Sequence, residues 1–138
     1  MTSPSTDKPV RNRLSKKEIL RGYRAFGHVL SRGIYVQHRS IRFYYDIKRE
    51  IPPYHGMVGF AVKKPGNAVL RNSFRRLMRE SFRQRKHELW EYCQQQHCQL
   101  RCVMLVDPGR MKEPVSFDMI DASVAALLDA ALKRLRQT

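Results

Sequence analysis

The stretch that begins at Ala68 limits the possible folds of this chain more than any other. Leu70, Phe74, Leu77, Met78 and Ser81 recur there at the period of an α-helix, and arginines fill the positions between them. At roughly 100° per residue, Arg71, Arg75, Lys86, Arg79, Asn72, Arg83 and Arg76 share an arc of about 140°, with only the cation Arg85 outside it. The apolar residues occupy a separate arc, with Phe82 at its border. A helix built this way must dock its apolar face on something and present the cationic ridge to the outside. Lysine would serve solubility equally well, yet the ridge is mostly arginine, whose planar fork suits bidentate contacts with phosphate.

The surroundings strengthen this reading. From Lys63 to Lys86 nine cations face a single acid, Glu80, and a ridge so one-sided repels itself unless a polyanion offsets it. Asn67 is placed to cap the helix, which the pattern extends from Ala68 to about Glu91. The turn before it, Lys63-Lys64-Pro65-Gly66-Asn67, leaves backbone N–H groups at a helix N-terminus, where phosphate is favoured. The whole chain of 138 residues has a formal net charge of +15. All of that excess lies before Cys102, because the remainder carries five basic and five acidic residues. Nucleic acid is the partner this charge distribution implies.

No apolar run approaches the roughly 20 residues of a membrane span. The first ten residues lack the apolar stretch of a secretory signal, which places the chain in the cytoplasm. Cys93, Cys98 and Cys102 are too few and too tightly grouped for a disulfide framework and fit a reducing compartment. Residues 1–10 read as a disordered tail, and 11–138 as a single RNA-binding domain.

The remaining patterns supply the elements. Ile19, Tyr23, Phe26 and Leu30 lie at helical spacing within Lys16 to Leu30, and Gly33 follows as a stop. Ile34 to Val36, Ile41 to Ile47 and Met57 to Val62 read as strands. Ile41, Phe43 and Tyr45 point to one side of the second strand, and Arg42 and Tyr44 to the other. A short strand at Arg101 to Val106 and a helix capped by Ser116 complete the order α-β-β-β-α-β-α. Segregated strands and helices predict an α+β, two-layer sandwich with helices on the sheet.

The segment from Lys63 to Arg83 resembles the signature of the bacterial ribonuclease P protein subunit, K-x-G-N-A-V-x-R-N-R-x-K-R-x-x-R-E-x-F. Leu14-Ser15-Lys16-Lys17 with Phe26, Val29, Leu30 and Gly33 is similar to the family's first helix, and Asp107-Pro108-Gly109 through Ser116-Phe117 to its approach to the last. The resemblance covers about residues 11 to 136. Three positions depart from the pattern: Ser73 replaces the second arginine of the Arg-Asn-Arg triplet, Pro65 a common aliphatic, and Leu30 the second aromatic of the first helix.

The resemblance implies a central four-stranded mixed sheet with a left-handed crossover, and a subunit of the endoribonuclease that removes the 5′ leader from precursor tRNA. In that family a catalytic RNA performs the chemistry. The Mg²⁺ is held mainly by that RNA and the substrate, and none is bound tightly by the protein alone. The implied partners are the catalytic ribonuclease P RNA and precursor tRNA, with no membrane and no small-molecule substrate. The RNA-binding residues are then Lys63, Lys64, Asn67, Arg71, Asn72, Arg75, Arg76, Arg79 and Arg83. A cleft between the first helix and the sheet holds the single-stranded leader.

Phe26, Leu30, Arg42 and Tyr44 are the candidates to line that cleft, since unpaired RNA is held by aromatic stacking together with a basic groove. No protein residue is assigned to catalysis or to a metal. The five histidines are scattered, and no paired carboxylates, HExxH or nucleophile context occurs. Two other readings carry less: an accessory protein of a different ribonucleoprotein, and a zinc module built from Cys93, His97, Cys98 and Cys102. The second lacks C-x₂-C spacing.

Overall fold

A computed structural model describes residues 13–63, 68–111 and 115–137. The expected tail at residues 1–10, and Lys64 and Asn67 with the turn between them, lie outside the described residues. The elements run α1 (Tyr23–Arg32), β1 (Ile34–His38), β2 (Ile41–Arg49), β3 (Gly56–Val62), α2 (Ala68–Arg85), α3 (His87–Gln95), β4 (Cys98–Val106) and α4 (Phe117–Arg136). The four strands form one mixed sheet in the order β1-β2-β4-β3. β2 is antiparallel to β1 and β4, whereas β3 and β4 are parallel and joined by a crossover through α2 and α3.

Strand alternation assigns the two faces of the sheet. Ile41, Phe43 and Tyr45 of β2, Val58 and Phe60 of β3, and Leu100, Cys102, Met104 and Val106 of β4 enter the main core. Phe74, Met78 and Phe82 of α2 and Ile120, Val124, Leu127, Leu128 and Leu132 of α4 cover them. Phe82 sits centrally, its ring 6.3 Å from Phe43, 5.9 Å from Phe60 and 5.5 Å from Trp90. Each of these side chains contributes about 1.5–3 kcal/mol on burial, enough to fix how α2 is rotated on the sheet. The opposite face carries a smaller core of Leu20, Val29, Tyr44 and Val103 beneath α1. Ser116 caps α4 as expected, its hydroxyl accepting from the Met119 N–H at 3.2 Å.

Three element boundaries differ from the sequence reading. The first helix does not begin at Lys16. Lys16–Glu18 is a single 3₁₀ turn, Ile19 bridges to Val58 at the β3 edge, and Gly22 at φ 94° redirects the chain before α1 starts. A positive φ there is open to glycine at no steric cost. The stripe expected at Ile19, Tyr23, Phe26 and Leu30 is therefore broken, and Tyr23 is 97% exposed. The central helix divides at Lys86, so that α3 can turn Leu89, Trp90, Tyr92 and Cys93 into the core. β4 starts at Cys98 rather than Arg101, because its first residues pair with Ile47 to Arg49 of β2.

Lys86 is the clearest departure. The wheel places it on the outward ridge, yet it is buried and its ammonium donates to Glu18 and to the Arg13 carbonyl, both at 2.5 Å. The Trp90 indole N–H donates to the same carboxylate oxygen at 2.6 Å. Residues 13–19 are thereby fastened across the α2–α3 junction and the edge of β3.

Candidate nucleic-acid interface

Burial of Phe74, Met78, Ser81 and Phe82 turns the other flank of α2 outward. The Ser81 hydroxyl donates to Asp121 of α4 at 2.6 Å, which fastens the helix from the side. On the outward flank Asn72, Arg76 and Arg79 are exposed, and Arg71, Arg75 and Arg83 are half-buried. The six therefore share one side, as their spacing predicts.

Their charges are not equally available. Arg83 grips Glu80 with two hydrogen bonds, at 3.1 and 2.8 Å, and this contact holds the Glu80 carboxyl below its ordinary range. Arg85 is similarly held by Asp121 at 2.9 and 2.7 Å, on the side facing α4. Among the described residues, Arg75, Arg76 and Arg79 make no ion pair with any carboxylate. Arg75 donates to the Asn72 side-chain oxygen at 3.3 Å, and Arg79 lies 5.8 Å from the centre of the Phe60 ring. Arg71, one helical turn before Arg75, extends the same row. Lys63 is not in it: its ammonium is 3.8 Å from Asp107, at the end of the sheet where Arg42 also lies.

The second candidate surface is the face under α1. Phe26 is half-buried, and its ring sits on the backbone of Gly59. A Cβ at Gly59 would stand 2.2 Å from the Phe26 ring, so only glycine lets the ring settle there. Gly59→Ala is accordingly expected to displace Phe26 and destabilise the fold by about 1–3 kcal/mol. Urea unfolding checks this, and an unchanged midpoint would contradict it.

His28 of α1 reaches Asp46 of β2 at 3.4 Å, and Arg101 of β4 holds the same carboxylate at 3.2 and 3.0 Å. Leu30 is 37% exposed on the open side of α1. Tyr44 is only 8% exposed, and its hydroxyl accepts from Arg42 at 3.2 Å. Tyr44 thus belongs to the small core beneath α1, and Phe26 packs against it.

Sequence reasoning missed Tyr35. It is the direct cross-strand partner of Tyr44, and its ring is 43% exposed beside Arg42. Hairpin register carried the signal: counting back from the turn at Arg39 and Ser40 pairs the two tyrosines on one face. The cysteine segment behaves as core. All three cysteines are buried, and burial pushes the Cys93 thiol up to about 12, which leaves it inert. His97 instead lies outside, its ring 5.1 Å from that of Tyr54. Among the described residues no three His, Cys, Asp or Glu side chains converge as metal ligands. No helix among them is long and apolar enough to cross a membrane.

The sequence model of the family described as Ribonuclease P matches residues 14–132. A protein of Chlorobium phaeobacteroides described as "Ribonuclease P protein component" is 27% identical over 127 residues, spanning 85% of this chain and 86% of that one. The RNase P protein of Staphylococcus aureus has a TM-score of 0.61 at 23% identity and covers 83% of this chain and 94% of its own. That of Thermotoga maritima has a TM-score of 0.62 at 24% identity, with 80% and 94% covered. At such identities the solved structures speak for the fold: the α+β arrangement with a four-stranded mixed sheet and flanking helices is theirs too.

Proposed function

Because this chain belongs to the ribonuclease P protein family, as a protein component of an endoribonuclease complex, we propose that it assists a catalytic RNA in removing the 5′ leader of precursor tRNA. The outward flank of α2 binds the RNA partner, and the face under α1 holds the single-stranded leader. The observation that carries this reading is the row of arginines on α2. Arg75, Arg76 and Arg79 make no ion pair with a carboxylate among the described residues, and Arg76 only adds to the field that lowers the Glu80 carboxyl. Such a row gains its full attraction only against phosphate.

In this reading the chain supplies binding and positioning. Cationic side chains set between RNA strands lower the repulsion that Mg²⁺ must otherwise screen. Mg²⁺ would be held by the RNA and substrate rather than by this chain, and the chemistry it would supply is that of a Lewis acid at the phosphate. The leader contacts add affinity for precursor over mature tRNA, so the substrate is retained and the product released.

Cleavage of precursor tRNA by a cognate catalytic RNA at low Mg²⁺, with and without the chain, tests the proposal. The expected result is faster processing and tighter binding of the precursor when the chain is present. No gain in either would overturn it.

A further inference from the structure

On the side of the sheet away from α1, the tip of the β1–β2 hairpin, the turn after β4 and the first turns of α4 border a pocket of about 340 Å³. Ile41, Met111, Met119 and Ile120 give it an apolar wall, and Ser40 and Ser123 add two hydroxyls. Ser123 is only 3% exposed, and its oxygen lies 3.0 Å from Nδ1 of His38 on β1. A hydroxyl has one donor and two acceptor positions, so this contact leaves it able to meet a second partner. Two exposed arginines, Arg39 and Arg110, complete the lining. Arg110 stands 3.6 Å from Asp107, whereas among the described residues no carboxylate pairs with Arg39.

We propose that this pocket binds a small aromatic monoanion of two fused rings, an aryl carboxylate, with its rings against the Ile and Met wall and its carboxylate on Arg39. The site lies across the sheet from the face under α1 and owes nothing to the leader reading.

Four observations support it. Arg39 holds the first central position of a two-residue hairpin turn at φ 54°, where glycine, asparagine or aspartate is the ordinary choice. Backbone strain of that kind gathers at ligand sites, and here it carries a guanidinium to the pocket. The planar fork matches a carboxylate, which selects an anion. Size selects the ring system, since a cavity of about 150 Å³ holds one benzene and this pocket has about 340 Å³. The two methionines are adaptable and favour aromatic edges through their sulfur atoms. Two hydroxyls, one of them already engaged by His38, are too few for the polar edge of a nucleobase, whose unpaired atoms are costly to bury.

The full chain, labelled with ¹³C at its methionine methyl groups, is titrated with 2-naphthoate. Met111 and Met119 report on the pocket, and Met57, Met78 and Met104 lie elsewhere and serve as internal references. The expected result is a shift of the first two signals along one curve, half-saturated at or below about 1 mM, with the other three unmoved. The uncharged 2-naphthamide should bind roughly 5- to 10-fold more weakly. Arg39→Gly should weaken 2-naphthoate by roughly the same factor and leave 2-naphthamide as it was. Glycine suits the turn, so the thermal midpoint of that variant should not fall. Met119→Trp, read at Met111, fills the pocket and should abolish binding of both ligands; Arg39→Gly carries the test if that variant does not fold. No shift, shifts spread over all five signals, wild-type affinity for 2-naphthoate in Arg39→Gly, or adenosine 5′-monophosphate bound as tightly as 2-naphthoate would each overturn the site.

Discussion

Replacing Lys86 with methionine is expected to destabilise the protein by about 3–5 kcal/mol, the cost of removing one partner from a buried ion pair. The Glu18 carboxylate lies under the α2–α3 junction and accepts hydrogen bonds from the Lys86 ammonium, the Trp90 indole and the Ser15 backbone N–H, the last at 2.7 Å. Without the ammonium the charge stays buried with two neutral donors, and the Arg13 carbonyl loses a partner as well. Urea unfolding at neutral pH measures the loss, and an unchanged midpoint would contradict it. Pairing Lys86→Met with Glu18→Gln should recover much of the deficit, because the uncompensated charge is then gone.

The same latch dictates an acid limb. Burial alone would raise the Glu18 carboxyl, but the hydrogen bonds from Lys86, Ser15 and Trp90 outweigh it and bring it from 4.5 down to about 2. A carboxyl depressed on folding adds stability above its unfolded value, and that stability drains away as the pH falls from 4.5 towards 2. The span corresponds to about 3 kcal/mol. In Lys86→Met this limb should shrink. Function follows from the fastening: residues 13–19 lead into α1, and Ile19 and Leu20 pair with Val58. Loosening them frees α1, the helix to which the proposed function gives one wall of the leader site.

Neutralising Arg71, Arg75, Arg76 and Arg79 together by alanine is expected to lower affinity for the RNA partner on the order of 10³-fold at moderate salt. The slope of log affinity against log salt should fall by about three to four, close to one unit per phosphate contact removed. Thermal stability should hold, because alanine is the strongest helix former and the substitutions remove like charges from one flank. Arg85→Ala is the internal control. Its guanidinium is engaged by Asp121 on the side facing α4, so the slope should stay where it is. A quadruple variant with the wild-type slope, or an Arg85 variant that matches its loss, would remove the α2 ridge from the interface.

How legible the fold was depends on the range of each interaction. The alternation of Ile41, Phe43 and Tyr45 against Arg42 and Tyr44 sorts β2 between the two cores as observed, because side chains on a strand alternate whatever lies beyond it. The Ser116 cap and the apolar stripe of α4 are equally local. The start of α1 was not legible. Lys16 to Leu30 has a helical period, but Ile19 finds a better partner in Val58, far along the chain.

Consecutive residues therefore determined most elements, the side of α2 that docks and the concentration of cations on the other. A helix or strand period is a property of neighbours, and charge excess a property of composition. The tertiary structure alone decided which cations remain for a polyanion. Lys86 turns inward to a carboxylate 68 positions away, Arg85 meets Asp121 across 36, and the rings of Tyr35 and Tyr44 come together with Arg42 only when the hairpin closes. Pairings between distant residues depend on how the sheet is threaded, and no local repeat encodes that.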